Sequence, residues 1–453
     1  MCRCDGSEMR RNHLAAILVV SVFTWVVIIY MILYDRPHHS SVISPEAGYN
    51  LGKLEAQIKE EYKANAQLLS DVQKVLESQK ENNRVLAEEK AVQDEEERKE
   101  DERRLQAASG PEVIAVLVFS CSRVTVTRCL DQLIKYRPNP ERFPIIVSQD
   151  CQHQATSDAI DAYSEQVYHI KQPDQSEIYV PPKEKKFRGY FKIARHYGWA
   201  LNQTFFVYNF STAIIIEDDL DVSPDIFSYF LSTLPLLRQD PTLWCVSAWN
   251  DNGKYDLIDV DSPELLHRTD FFPGLGWMLT KDVWRELSVK WPASYWDDWI
   301  RQPEQRKHRA CIRPEVSRTR TFGKIGVSNG LFYEKHLKYI HLNDRFVDFK
   351  TKNLSYLLKD NYDAAFVKTV YESPIVTHQE LRSGNIVTEG PVRIPYNSKT
   401  KYKLTAKSLG LMDDFRSGVP RTGYRGVVSI FYKGRRVYLA PMPRWRGYDI
   451  SWS

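Results

Sequence analysis

Charge of one sign is what this chain lacks most plainly. Its 453 residues hold 62 Lys and Arg against 58 Asp and Glu, a net charge of +4. That balance removes the basic footprint expected of a nucleic-acid binder, so no nucleic acid is expected among its partners. Cysteine is sparse, at 7 residues, and no pair has zinc-type spacing. Neither G-x-G-x-x-G nor G-x-x-x-x-G-K-[ST] occurs, which argues against a dinucleotide oxidoreductase and a P-loop NTPase. H-E-x-x-H and G-x-S-x-G are missing too, and with them the usual zinc protease and α/β-hydrolase signatures. Residues 51–108 contain no Pro and a single Gly, Gly52, so the strong helix breakers are absent there.

Long apolar runs are also few, and the one near the N-terminus stands out. Leu14 to Tyr34 is uncharged and mostly apolar, long enough to span a bilayer. A signal peptide would have a shorter apolar core and a small-residue cleavage site. Arg3, Arg10 and Arg11 precede the run, so the positive-inside rule predicts a type II signal-anchor with a cytosolic tail. The expected layout is a tail at 1–13, a span at 14–34 and a largely helical stem at 35–108. Leu54, Ile58, Leu68, Val72, Val75 and Leu86 fall on 3- and 4-residue steps there, a partial heptad. Glu61, Asn65, Gln79 and Asn82 interrupt it. Cys2 and Cys4 precede the span as candidate acylation sites.

From residue 111 the pattern changes to strands alternating with helices, which predicts an α/β fold around a mostly parallel sheet. Val113–Phe119 and Phe143–Ser148 read as buried strands, and Lys185–Leu201 as a long helix. After about residue 335 the pattern loosens. Val427–Tyr432, a Lys433-Gly434-Arg435 turn and Arg436–Ala440 predict a hairpin in a smaller β-rich C-terminal domain at 336–453. The aromatic share is high, with 11 Trp and 25 Tyr. Sugars stack on such rings, and core packing uses them equally well.

The most telling stretch is Thr212-Ala213-Ile214-Ile215-Ile216-Glu217-Asp218-Asp219-Leu220-Asp221. An apolar, β-branched strand runs straight into three adjacent carboxylates. Ser223 and Pro224 then open a helix as N-cap and first helical residue, with Asp225 in its first turn. Ligands of open α/β sheets bind at the carboxyl ends of strands. Adjacent carboxylates repel unless a cation or donors neutralise them, and oxygen ligands of this kind suit Mg²⁺ or Mn²⁺. A solvated acidic turn is the plain alternative. Gly323–Gly330 is a glycine-rich candidate lid. Five cysteines follow the apolar run, Cys121, Cys129, Cys151, Cys245 and Cys311; two disulfides and one thiol are expected, with the pairing open.

Five motifs occur in one order: Cys121-Ser-Arg123, Gln149-Asp150-Cys151, Glu217-Asp218-Asp219, Tyr295-Trp-Asp297-Asp298-Trp299 and Val327-Ser328-Asn-Gly. Together, over about residues 111–453, they resemble the N-acetylglucosaminyltransferase I family. The resemblance implies a GT-A fold at 111–335, UDP-N-acetylglucosamine as donor and Mn²⁺ as cofactor. It implies inverting transfer onto the α1,3-arm mannose of a five-mannose N-glycan, at the Golgi membrane with a luminal catalytic domain. By motif match Asp219 binds the metal, Asp218 contacts the nucleotide sugar and Glu217 supports it. Arg123 holds the nucleotide, Asp150 the uracil ring, His196 packs beside the base, and Ser328 binds substrate from the lid. Adjacent acids point in different directions, so one of Asp297 and Asp298 faces the acceptor; the resemblance selects Asp297 as catalytic base. It also pairs Cys121 with Cys151 and Cys245 with Cys311. A protein O-mannose transferase would carry an extra carbohydrate-binding domain where this chain has a charged stem. A catalytically inactive lectin would have no need of Asp219 and Asp297.

Overall fold

The computed structural model describes residues 25–27, 29, 53, 56–85, 112–324, 326, 330 and 332–452. They belong to two compact units, Met1–Ser109 and Gly110–Ser453. In the first unit, residues 56–85 form one helix with its side chains exposed. Ile58, Leu68, Val72 and Val75 are exposed, so among the described residues these heptad positions are not buried.

The expected membrane anchor is corrected here. Among the described residues no helix is long and apolar enough to cross a membrane. The physical reason lies in the helix that is described: residues 56–85 are rich in Lys, Glu and Gln, and its apolar residues are isolated between them. Of the Leu14–Tyr34 run, Trp25, Val26, Val27 and Ile29 are described, as helical and exposed residues; the rest lies outside the described residues. So do the 1–13 tail, Cys2, Cys4 and residues 35–50 of the stem.

The second unit is built on an eight-stranded sheet of order β3-β2-β1-β4-β8-β6-β9-β7. Its strands are β1 Ala115–Ser120, β2 Ile145–Gln149, β3 Val167–Lys171, β4 Thr212–Glu217, β6 Leu243–Ser247, β7 Leu266–Thr269, β8 Trp277–Thr280 and β9 Ala310–Pro314. A short β5, Leu220–Val222, leaves the main sheet and pairs antiparallel with β10, Thr319–Thr321. Half of the main sheet is parallel as expected: β3, β2, β1 and β4 run together. The other half is mixed. β8 lies antiparallel to both β4 and β6, and β7 antiparallel to β9. The turn into β8 holds Gly274, Leu275 and Gly276 at positive φ, and a Cβ on Gly276 would sit 2.6 Å from Thr319. The glycine there is a packing requirement.

Strand periodicity sorts the core into two layers. Val116 and Val118 of β1 join Ile214 and Ile216 of β4 on one face, under the Val126–Tyr136 and Ile226–Gln239 helices. Leu117, Phe119, Ala213 and Ile215 point to the other, under the Arg188–Asn202 helix. Burial on both faces explains why these strands read as continuous apolar runs. Each buried aliphatic side chain contributes about 1.5–3 kcal/mol. The Cys245–Cys311 disulfide joins β6 and β9 at directly paired positions.

The C-terminal part holds β11 Val392–Tyr396, β12 Phe415–Arg416, β13 Val419–Pro420, β14 Val428–Tyr432 and β15 Arg435–Pro441. The predicted hairpin is present: Lys433 and Gly434 take φ of 49° and 79°, the left-handed pair of a two-residue turn. This part is mixed, where the sequence suggested β-rich. Helices Lys359–Glu372, His378–Ser383 and Lys399–Ser408 frame its three-stranded sheet of β11, β15 and β14. It is tied to the main sheet by buried polar contacts: Arg436 pairs with Glu315 at 3.0 Å, and Arg421 with Asp251 at 2.7 Å.

Candidate functional site

The site begins where β2, β1 and β4 end side by side. Register places Ser120 opposite Gln149 and Phe119 opposite Glu217. Pairing continues one step beyond the strands: the Asp150 N–H donates to Ser120 O and the Asp218 N–H to Phe119 O, both at 3.0 Å. The Cys121–Cys151 disulfide ties the two loops that follow β1 and β2, and Cys129 is free and buried. Arg123, Asp150 and the acid triplet are thereby brought to one edge of the sheet.

The four acids have different fates. Asp218 and Asp219 share one guanidinium nitrogen: Arg123 Nη1 lies 2.8 Å from Asp218 Oδ1 and 2.7 Å from Asp219 Oδ2. Ser120 Oγ donates to Asp218 Oδ2 at 3.0 Å. Burial pushes both carboxyls up from their ordinary range, and Arg123 pulls them back. Glu217 is pushed up to about 7, by burial first and then by the charge of Asp219. Its Oε1 accepts the Tyr197 hydroxyl at 2.8 Å. Asp221 lies in β5, where Arg128 holds it bidentately at 2.7 and 2.6 Å and Arg320 adds a third cationic contact at 3.0 Å. Burial raises its carboxyl, but these bonds win and hold it low. Asp221 is a structural anchor. Asp225 is another: it stands at the N-cap of the Ile226–Gln239 helix, where the sequence placed it in the first turn, and forms a fully buried ion pair with Arg318 at 2.9 Å.

Of the glycine-rich segment, Gly323 lies against Asp219 and Gly326 against Arg123. A Cβ on Gly323 would stand 2.0 Å from Asp219 Oδ2, and one on Gly326 would stand 3.2 Å from Arg123 Nη2. Only a residue without a side chain allows this approach at Gly323. Ser328 lies outside the described residues.

Asp150 is buried and accepts the Gln175 amide at 2.7 Å. His196 sits beneath it, with Nε2 2.7 Å from Ser148 Oγ and its ring edge-on to Phe119. Burial pushes its imidazole down to about 4, so it is neutral at neutral pH.

Asp297 and Asp298 open the short Trp296–Ile300 helix. Geometry on one element suggested that they diverge. Instead Arg301 Nη1 reaches both, at 2.9 and 3.2 Å. Asp298 has a second partner in Arg416 at 3.3 Å. Arg301 is itself fixed by Phe272 O at 3.1 Å and by the Phe271 ring. The two acidic groups meet through Tyr197. Its ring stacks on Phe119 at 3.8 Å and on Trp296 at 4.4 Å. Its hydroxyl is pushed up by burial first, then by Glu217, Asp219 and Asp297. Among the described residues no group of three His, Cys, Asp or Glu is placed to hold a metal ion.

A model of the GNT-I family matches residues 14–452 of this chain. The chain belongs to the GNT-I family. An Arabidopsis thaliana protein named alpha-1,3-mannosyl-glycoprotein 2-beta-N-acetylglucosaminyltransferase is 41% identical over 332 residues, 72% of this chain and 73% of that protein. Similar solved structures include glucosyl-3-phosphoglycerate synthase from Mycobacterium tuberculosis with Mg²⁺ and UDP, at 13% identity, TM-score 0.33, covering 51% of this chain and 79% of that one. Another is a mannosyltransferase from Pyrobaculum calidifontis with GDP-Man and Mn²⁺, at 12% identity, TM-score 0.27, covering 40% and 47%. At that degree of overlap neither bears on the chemistry of this chain.

Three residues of this GNT-I family site escaped the sequence reading. Tyr197 was one aromatic among several on a helix, and only packing turns it toward Glu217. Ser120 lay one residue past the strand as read, and the structure makes it the last residue of β1. Arg301 did leave a signal: it stands four residues after Asp297 and three after Asp298, the spacing at which helical ion pairs form.

Proposed function

We propose that this chain transfers N-acetylglucosamine from UDP-N-acetylglucosamine to the 2-hydroxyl of the α1,3-arm mannose of a five-mannose N-glycan, with inversion and with Mn²⁺. The observation that carries the reading is the pairing of Arg123 with Asp219 and the seating of Tyr197 between Glu217 and Trp296, the residue before Asp297, in a chain of the GNT-I family. The GT-A reading of the domain rests on the same family and on the acid-tipped strand β4 at the sheet's parallel half.

The donor set fits a shared cation. Asp219 offers a hard oxygen, beside an arginine already placed among anions. A bound Mn²⁺ would supply positive charge against the leaving diphosphate. Arg123 neutralises Asp218 and Asp219 in this state; with a nucleotide present its guanidinium would turn part of that capacity toward phosphate. Asp150 would accept a uracil N–H, and neutral His196 would keep Ser148 and the floor beneath the base in place. Glu217, bonded to Tyr197, fixes the wall between the two acid groups. Asp297 would take the acceptor proton as the new bond forms, since an alcohol needs a base within hydrogen-bond reach. One displacement with one base inverts the sugar carbon.

The full chain with UDP-N-acetylglucosamine, Mn²⁺ and a five-mannose glycan should give a product heavier by one N-acetylhexosamine. Asp219→Ala should lose this cation-dependent turnover by about 10²–10³-fold while keeping its melting curve. Near-normal turnover in that variant removes Asp219 from the site. No product from the wild type removes the function.

A further inference from the structure

The helix that carries Asp297 starts from an unusual backbone. Tyr295 takes φ 49° and ψ 45°, the left-handed region, where a bulky aromatic is an outlier held by its surroundings, often at a ligand site. The turn splits two neighbouring rings. Trp296 goes inward, buried against Tyr197. Tyr295 is left partly exposed and stacks on Tyr190 at 4.9 Å, the planes 29° apart. Phe187 and Phe191 meet the Tyr295 ring edge-on at 6.3 Å.

This ledge adjoins the two accessible carboxylates. The Asp297 and Asp298 side chains are 44% and 47% exposed. The Tyr190 phenol is pushed up by burial and then by those two charges. Asp219 keeps different company, with Arg123 and Gly323. A pyranose has an apolar face of C–H groups and a rim of hydroxyls. Partly exposed rings beside carboxylates match both parts. Core packing alone would have buried these rings over an ordinary backbone.

We infer that Tyr190 and Tyr295 form the acceptor platform: the receiving mannose stacks on the ledge while its hydroxyls meet Asp297 and Asp298. The inference rests on the transferase reading above, and it adds the subsite that orients the acceptor.

The test is kinetics and binding on the full chain with Tyr190→Ala and Tyr190→Phe. Tyr190→Ala should raise KM for the five-mannose glycan about two- to tenfold, with KM for UDP-N-acetylglucosamine unchanged. Tyr190→Phe keeps the ring and should stay near wild type. Tyr190→Leu, apolar but not flat, replaces the alanine variant if that one fails to fold. Saturation-transfer NMR with the five-mannose glycan needs no turnover: the wild type should show mannose ring-proton contacts that Tyr190→Ala loses. Unchanged acceptor KM in a working enzyme overturns the platform and leaves the function standing. Equal rises in both KM values mark Tyr190 as packing and also overturn it. If the wild type transfers nothing, the function falls, and the NMR contacts decide the platform by themselves.

Discussion

The two acidic groups of this molecule are built in opposite ways. Asp218 and Asp219 are buried at the end of a central strand, their side chains 7% and 12% exposed. Asp297 and Asp298 are half-exposed on a five-residue helix. The first group is held by an arginine from β1's loop, the second by an arginine one helical turn away. The buried group suits fixed work on a highly charged ligand, because low dielectric strengthens every contact it makes. The exposed group suits proton exchange, because it stays open to a substrate arriving from water. Burial is also costly, and the buried group shows it: Glu217, Asp218 and Asp219 all have raised carboxyls, while Asp221, with two arginines, does not.

The largest test of this contrast is Asp297→Asn. If Asp297 is the base proposed above, the change removes the proton acceptor and leaves the donor contacts, so kcat should fall about 10²–10⁴-fold while UDP-N-acetylglucosamine affinity by calorimetry stays constant. Asp298→Asn should cost less in kcat, because Arg416 already engages that carboxylate. Normal turnover in Asp297→Asn, or a dead Asp298→Asn that binds donor, would reverse the assignment.

A smaller effect is expected at the buried group. Gly323→Ala must displace the Asp219 carboxylate or the segment over it. An ångström of misplacement at a reacting site costs up to about 10²-fold, so activity should drop by that order with little change in Tm. Unchanged activity would mean the segment moves away from Asp219 during turnover.

The smallest effect is on stability. Glu217 has a folded pKa of about 7, above its ordinary 4.5. A raised folded value gives stability that is complete below the unfolded pKa and lost as pH rises through the folded one. The cation-free protein should therefore lose stability between about pH 4.5 and 7, on the order of a few kcal/mol. Glu217→Gln should flatten that slope in denaturant titrations at several pH values. A slope unchanged in Glu217→Gln would assign it to another group.

How much of this was legible depends on how local the cause is. The parallel half of the sheet could be read because burial on both faces forces long apolar runs, as in Ala115–Phe119 and Ala213–Ile216. The hairpin at Lys433-Gly434 could be read because its turn chemistry is confined to two residues. The antiparallel insertion of β8 could not, since strand direction depends on partners far along the chain. The short β5–β10 pairing was hidden for the same reason: Leu220–Val222 needs Thr319–Thr321 to become a strand.

At the site the division is the same. The sequence by itself determined that three carboxylates end a buried strand, and that two more sit between indoles at Tyr295–Trp299. Covalent adjacency sets charge density, and no fold can separate Asp218 from Asp219. Only the tertiary structure decided what answers that charge. Arg123 is 95 residues from Asp218 in the chain yet 2.8 Å away in space. Tyr197 lies 20 residues before Glu217 and donates to it across the fold. A carboxylate's protonation and reach follow from burial and from the donors packed against it, and those are properties of the folded chain.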